Sequence, residues 1–207
     1  LAQENKVELF SLGNELYSVW QYRSEWRNII GDVKETYKGL ISVKLNCWWR
    51  EISFHKVMSW DWLSELDYIG IAPYFDLTKD SNLSLEELRK AWQENRHGHN
   101  IASELEQIAK KYKRKVVFLE IGYRSIDGAS IEPWNADPVV PRGGGSGLFD
   151  PEEQSLATQA LFDVFGDKDW WEGAFWFYWP TAKPLSEDKT WALWDKPVEL
   201  VIRSNFR

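Results

Sequence analysis

Val116-Val117-Phe118-Leu119-Glu120-Ile121 is a short, almost continuously apolar run that contains a single acid. Apolar residues without the alternation of a half-exposed strand are typical of a parallel strand that is covered on both faces. A carboxylate that follows four apolar residues is costly to bury unless it faces a cavity or a partner. The run therefore predicts a buried parallel strand whose Glu120 faces a cavity or a partner.

Four similar runs, separated by helical patterns, lie on either side of this strand. Ser84 and Glu87 have the spacing of a capping box, and Asp150-Pro151 is a typical helix start. The expected strands are residues 7–13, 40–46, 66–72, 116–121 and 174–179, and the expected helices are residues 25–38, 84–94, 101–113, 151–165 and 198–206. Strands that alternate with helices predict an α/β fold with a parallel sheet. Residues 127–147 are rich in Pro and Gly and are expected to form a long loop, whose segment 142–147 fits either a natural flexible tip or an engineered joint.

Composition limits the classes of function. The 207 residues are 43% hydrophobic and 28% charged, as expected for one globular domain, and the lone Cys47 is interpreted as a buried thiol. The net charge of −7 argues against a nucleic-acid partner, and no apolar stretch is long enough to span a bilayer. The 14 Trp residues fit either a large aromatic core or a sugar-binding surface.

Two acids follow strands of this pattern. Glu15 comes directly after the first strand, and Glu120 lies near the end of the fourth. Because parallel strands gather their catalytic groups at their carboxyl ends, the two side chains are expected to meet there. Hydrolysis of a glycosidic bond needs one acid to protonate the leaving oxygen and one carboxylate to attack or to activate water. Two such acids are the minimum set of catalytic groups that a glycoside hydrolase needs.

Three segments resemble a known enzyme family: residues 10–15, which end in Asn14-Glu15, residues 118–125 around Glu120, and the aromatic run 173–179. Together they are similar to clan A glycosidases, and most of all to glycoside hydrolase family 113, known for retaining β-mannanases. The resemblance implies a (β/α)8 TIM barrel of which this chain carries strands four to eight, so that residues 1–207 form the carboxyl-terminal five βα units of one barrel domain. It also implies that three preceding βα units are needed, from the same gene, another chain or another copy.

The resemblance assigns roles to single residues. It implies Glu15 as acid/base and Glu120 as nucleophile, with Asn14 holding the hydroxyl at carbon 2 of the sugar and Tyr74 donating a hydrogen bond to the nucleophile. Tyr123 is an expected substrate contact in the segment that carries the nucleophile. The carboxyl groups of the two glutamates are expected about 5–5.5 Å apart, the separation of a retaining enzyme.

Aromatic and basic residues complete the expected substrate site. Trp176 and Trp179 face opposite sides if the strand is extended, and Trp176 is favoured as the sugar platform, with an aromatic plug in the barrel wall as its alternative. Trp48 and its neighbour Trp49 cannot both point at the ligand. Arg124 is expected to orient the site, with an ordinary ion pair as the alternative.

The predicted function is retaining hydrolysis of a β-linked polysaccharide, most of all β-mannan, by double displacement. The alternatives are another clan A β-glycosidase acting on glucan or galactan, and a non-catalytic sugar-binding protein or inactive barrel fragment. No cofactor is expected. His97-Gly98-His99 joins two helices without a nearby set of carboxylates and is interpreted as a polar linker rather than a metal site. The sequence leaves the cellular compartment open.

Overall fold

A computed structural model describes residues 1–47, 53–136 and 144–206. Trp48 and Trp49 lie outside the described residues, as does part of the predicted loop. The strands are Leu9–Asn14 (β1), Leu40–Asn46 (β2), Tyr68–Ala72 (β3), Lys115–Ile121 (β4) and Trp171–Trp176 (β5). The helices are Arg23–Thr36 (α1), Phe54–Val57 (α2), Leu85–Ala91 (α3), Ile101–Tyr112 (α4), Pro151–Phe165 (α5) and Pro197–Asn205 (α6), with a 3-10 helix at Asp61–Glu65. Among the described helices, none has the length and apolar character needed to cross a membrane.

The strands form one five-stranded sheet in the order β1-β2-β3-β4-β5. The pairs β1–β2, β2–β3 and β3–β4 are parallel. The three central strands are largely buried, which agrees with their apolar sequences, whereas β1 and β5 carry exposed apolar side chains such as Phe10 and Phe175. The α/β class and the five strands in chain order are therefore confirmed.

Local sequence signals explain where the helices begin. The Ser84 side chain accepts a hydrogen bond from the backbone of Glu87 while the Glu87 side chain accepts one from the backbone of Ser84, so the predicted capping box starts α3. Asp150 accepts hydrogen bonds from the backbone N–H groups of Glu152 and Glu153 at the start of α5. These caps satisfy backbone donors that have no partner inside the helix.

The fifth strand was predicted three residues too late. It was expected at residues 174–179 but is Trp171–Trp176. The N–H of Val116 in β4 donates to the carbonyl oxygen of Trp170, so pairing with β4 begins before the aromatic run. The partner strand, rather than hydrophobicity, sets the start of β5, and Trp179 lies beyond its end.

The described chain divides into two compact units. The first comprises Leu1–Pro73, Leu105–Glu120 and Asp169–Ala174, and contains β1 to β3 and most of β4 and β5. Part of its core is a cluster of three Trp rings: Trp26 and Trp62 are stacked at 5.1 Å, and Trp20 lies 4.8 Å from Trp26. The indole N–H of Trp62 donates to the carbonyl oxygen of Trp20, which satisfies the polar atom of a fully buried ring.

The second unit comprises Tyr74–Glu104, Ile121–Lys168 and Phe175–Arg207. In it α5 packs against α3 and α6. Trp92 forms edge-to-face contacts with Phe75 and Phe165, at ring-centroid distances of 6.4 and 5.0 Å. This unit holds Tyr74, Tyr123, Arg124, Trp176 and Trp179, whereas Asn14, Glu15 and Glu120 belong to the first.

Candidate active site

Glu15 is placed by an irregular end of β1. The β1–β2 register is regular from Leu9 to Ser11 and shifts before Asn14, which pairs with Lys44. The next residue, Glu15, has a positive φ of 53° and donates its N–H to the Lys44 carbonyl oxygen at 2.8 Å. Such a shift redirects the side chains that follow it, and a left-handed backbone is uncommon for a residue with a Cβ. These two features set the direction of the Glu15 side chain.

Glu120 is the penultimate residue of β4. Its side chain is 30% exposed, and that of Glu15 is 40% exposed. Both carboxylates are therefore partly accessible to solvent in the described structure. Glu120 meets the expectation of an acid that ends an apolar strand and has a charged partner.

That partner is Lys44 in β2, which contacts both carboxylates. Its ammonium lies 3.4 Å from Oε1 of Glu15 and forms a hydrogen-bonded ion pair with Oε2 of Glu120. Because a hydrogen-bond contact is at most about 3.5 Å, these two oxygens are no more than about 7 Å apart. The structure thus brings together the two acids that were identified from sequence.

Asn46, also in β2, donates a hydrogen bond from Nδ2 to Oε2 of Glu15 at 3.2 Å. Its Oδ1 is buried and has no hydrogen-bond partner within the described residues. Glu15 is therefore contacted from β2 by an ammonium through one oxygen and by an amide through the other. Asn14, the last residue of β1, is exposed, and its contact with a sugar stays a prediction.

Lys44 and Asn46 were missed by sequence reasoning, which described their segment only as a strand. One signal was present: Lys44 is a charged residue between Val43 and Leu45, in a strand buried between two others. A charge in such a strand needs a partner. Sequence alone did not identify that partner, because Glu120 is 76 positions away.

Among the predicted site residues of the second unit, two tyrosines are buried. Tyr74 is almost completely buried, and Tyr123 is 1% exposed. Burial raises the pKa of the Tyr123 phenol, which therefore stays protonated at neutral pH. The roles of Tyr74 beside the nucleophile and of Tyr123 in substrate binding stay predictions.

Arg124 is held by neighbouring loops of the second unit. Its guanidinium lies 5.6 Å from the centre of the Trp191 ring, and its Nε donates to the carbonyl oxygen of Lys189 at 3.1 Å. A cation over an aromatic face and a backbone acceptor fix the orientation of this side chain. Its role in orienting the substrate stays a prediction.

The two candidate sugar platforms have different surroundings. The Trp176 ring lies 5.4 Å from the ring of Phe162 in α5, so it contacts the helix layer of its own unit. Trp179 is 51% exposed and stacks on Trp194 at 5.9 Å with an interplanar angle of 17°. Because β5 ends at Trp176, the alternation that set the two rings on opposite sides does not extend to Trp179. The more accessible ring is that of Trp179.

The second unit contains a cluster of three acidic side chains. Within the described residues, the ligand oxygens of Asp127, Asp150 and Glu153 lie within 4.8 Å of one another. Glu153 accepts hydrogen bonds from the backbone N–H groups of Gly128 and Ser130, and Asp150 caps α5. These contacts account for Glu153 and Asp150 as structural groups.

The two histidines of the predicted polar linker, His97 and His99, pair with separate carboxylates. Nε2 of His97 lies 3.2 Å from the buried Asp76, and Nδ1 of His99 lies 2.9 Å from Glu104. The predicted polar linker is therefore tied at both histidines to acids of its own unit.

Comparison with known families gives one match that covers most of the chain. The family model of Glycoside Hydrolase Family 113 matches residues 1–196. The β-mannanase AaManA of family 113 from Alicyclobacillus acidocaldarius, solved in complex with ManMIm, superposes with a TM-score of 0.75 at 21% identity. That match covers 99% of this chain and 56% of the mannanase.

More distant structures share the fold. A family 113 β-1,4-mannanase matches with a TM-score of 0.73 at 20% identity, over 99% of this chain and 57% of its own. A β-glucuronidase from an uncultured Clostridium species matches at 0.59 and 15% identity, over 95% of this chain and 31% of its own. No curated protein sequence matches the chain. The chain thus spans little more than half the length of the mannanases, and its parallel five-stranded α/β arrangement is similar to that of family 113 TIM-barrel enzymes.

Proposed function

Because the chain belongs to glycoside hydrolase family 113, we propose that it carries the catalytic pair of a retaining enzyme that cleaves β-linked polysaccharide, with β-mannan as the preferred substrate. The observation that carries this proposal is the meeting of Glu15 and Glu120 at one ammonium group. Glu15 follows β1 and Glu120 lies near the end of β4, so both acids are at the carboxyl ends of strands in one sheet, where a barrel enzyme keeps its reacting groups.

In the proposed mechanism the reaction proceeds in two displacements. Glu120 attacks carbon 1 of the sugar, the bond from carbon 1 to the leaving oxygen breaks, and that oxygen takes the proton of Glu15. The product of this step is an ester between Glu120 and the sugar, together with a Glu15 carboxylate. Water then attacks carbon 1 and gives its proton to Glu15, and the ester bond breaks to restore the Glu120 carboxylate. The two inversions at carbon 1 leave the anomeric configuration unchanged.

The proposed separation of the carboxyl groups, about 5–5.5 Å, is supported by their shared partner. A bridging ammonium limits the distance between the contacted oxygens to about 7 Å, which includes the separation of retaining enzymes and excludes most of the range of about 6.5–9.5 Å found in inverting enzymes. The proposed preference for β-mannan is supported by the mannanases that share the fold.

The experiment is a panel of β-mannan, β-glucan and β-galactan incubated with the full protein, with product sizes and anomeric configuration followed from the first minutes. We expect mannan oligosaccharides that appear first in the β configuration. Glu15→Gln should lower kcat at least about 10²-fold. Glu172→Gln is the matched control, since this exposed acid of β5 pairs with Lys115. Cleavage of glucan or galactan but not of mannan would contradict the proposed substrate. Products that appear first in the α configuration would exclude a retaining mechanism. Binding without cleavage would indicate a sugar-binding protein.

We further propose that β1 to β5 are strands four to eight of a (β/α)8 barrel, completed by three preceding βα units. The support is apolar surface along β1, where Phe10 is exposed beside a cavity of about 750 Å³. That cavity is lined largely by apolar residues, among them Leu1, Val7, Val33 and Tyr37. An exposed apolar edge strand is prone to association unless it is covered.

The test of this arrangement is to express residues 1–207 alone and measure their mass by light scattering and their Trp packing by near-ultraviolet circular dichroism. We expect association or loss of the Trp signal, and recovery when the three further βα units are supplied. A well-folded, soluble monomer would contradict the arrangement.

A further inference from the structure

Lys44 is the group that connects the two proposed catalytic carboxylates. It is 8% exposed and lies in β2 between the fully buried Val43 and Leu45. Its ammonium contacts Glu15 and Glu120, and its carbonyl oxygen accepts the N–H of Glu15. One residue therefore contacts Glu15 through both backbone and side chain, and Glu120 through the side chain.

A purely structural role accounts poorly for a lysine at this position. Replacing a buried ion pair with apolar residues is often neutral or stabilising, so charge is a weak source of stability in a buried strand. An ammonium that spans two acids on different strands supplies something else. It fixes the relative position of the two carboxyl groups.

The proposed reaction changes the charges around this ammonium. Before substrate binds, it contacts both acids. Once Glu120 forms an ester with the sugar, that carboxylate loses its charge, and the Glu15 carboxylate that must accept the proton from water is the charge left beside Lys44. The ammonium therefore has a contact to make in each half of the reaction.

We propose that Lys44 is a positioning residue of the hydrolytic reaction, holding Glu15 and Glu120 in their reacting orientation through a shared ammonium contact. This inference rests on the proposed function. It predicts that loss of the ammonium affects the chemical steps more than substrate binding, and that an added amine can substitute for it.

The experiment compares Lys44→Ala and Lys44→Met with the unchanged full protein on the polysaccharide it cleaves. We expect kcat to fall about 10²-fold in both variants, as for loss of other preorganised charged contacts in active sites, with little change in KM. Propylammonium should restore part of the kcat of Lys44→Ala with saturable dependence. Tetramethylammonium, which has no N–H donor, should not do so at equal ionic strength.

Lys196→Ala is the matched control. Lys196 is also 8% exposed and ion-paired, but it contacts Asp188 and Ser125, to which no catalytic role is assigned. Its loss should lower the temperature of unfolding, and propylammonium should not change its kcat. Rescue of both variants alike would overturn the inference, because the amine would then act on the protein in general.

Three other results would overturn it: a wild-type kcat in Lys44→Met, a loss confined to KM, or failure of both Lys44 variants to fold, which would make the residue structural. If only Lys44→Ala fails to fold, the kcat and KM of Lys44→Met decide. Glu120→Gln separates the two proposals. If that variant is inactive while Lys44→Met is normal, the inference about Lys44 alone fails. If Glu120→Gln keeps its activity, the proposed function fails, and the role of Lys44 fails with it.

Discussion

Gly70 lies in β3, between the strands that carry Lys44 and Glu120. It pairs with Lys44 on one side and with Val117 on the other. A Cβ at this position would lie 2.2 Å from the carbonyl oxygen of Val43 and 2.3 Å from Cδ1 of Leu119. Gly70→Ala therefore tests whether close approach of these strands maintains the site.

The magnitude follows from these distances. Non-bonded atoms rest about 3.5–4 Å apart, so the new methyl group requires displacements of more than about 1 Å. Leu119 can change rotamer, but the Val43 oxygen belongs to the backbone of β2 and cannot move alone. Overpacking lowers the free energy of unfolding by about 1–3 kcal/mol. Because the clash involves the backbone, we expect a loss of about 3 kcal/mol for this variant. A misplacement of about 1 Å at the carboxylates should lower kcat about 10²-fold.

The assay is urea unfolding followed by Trp fluorescence, with kcat measured under native conditions. Gly31→Ala in α1 is the matched control, because a Cβ there has no heavy atom within 4 Å. We expect that control to be unchanged or more stable by up to about 1 kcal/mol, from the higher helix propensity of Ala. A Gly70→Ala protein with the wild-type urea midpoint and kcat would show that the close approach of these strands does not maintain the site.

Two further predictions concern the second unit. Burial alone would raise the pKa of Asp188, but the hydrogen bonds from Lys196 and Thr190 and the charge of Lys196 together outweigh it and hold this pKa below its usual range. The ion pair therefore stabilises the fold above about pH 4 and loses this effect below it. The free energy of unfolding of Asp188→Asn should be lower than that of the unchanged protein by about 3 kcal/mol at pH 7, and this difference should narrow below pH 4. A difference that stays constant with pH in unfolding curves would contradict the role of this pair. Trp179→Ala should weaken oligosaccharide binding about ten-fold by calorimetry, because it removes the exposed ring that stacks on Trp194. Equal weakening by Leu185→Ala, a change at an exposed apolar residue of the same unit, would contradict a specific platform.

Much of the fold was predictable because its signals are local. The capping box at Ser84 and the Asp150-Pro151 start depend on residues a few positions apart, and both helices begin where expected. The buried run ending at Glu120 identified its strand for the same reason. The bounds of β5 were not local, because its aromatic run continues to Trp179 while its pairing with β4 begins at Trp170.

The site was predictable to a smaller extent. Glu15 and Glu120 were identified because acids at the ends of parallel strands converge. Lys44 was not, because its importance depends on two contacts at 29 and 76 positions of separation, which only the folded sheet brings together. The irregular β1 end that directs Glu15 was also invisible, since a register shift arises from pairing with β2. The two acids at the strand ends were therefore predictable from sequence, whereas the lysine that contacts both of them was not.

The most direct test of the central claim is to trap the proposed ester on Glu120. The full protein is incubated with a 2-deoxy-2-fluoro glycosyl fluoride of the mannose configuration, which slows the second displacement, and its mass is measured before and after peptic digestion. We expect a mass increase of one fluorosugar per active site, located on the peptide that contains Glu120, and no labelling of Glu120→Gln. A label on another residue, or an unlabelled protein that still cleaves the polysaccharide, would contradict it.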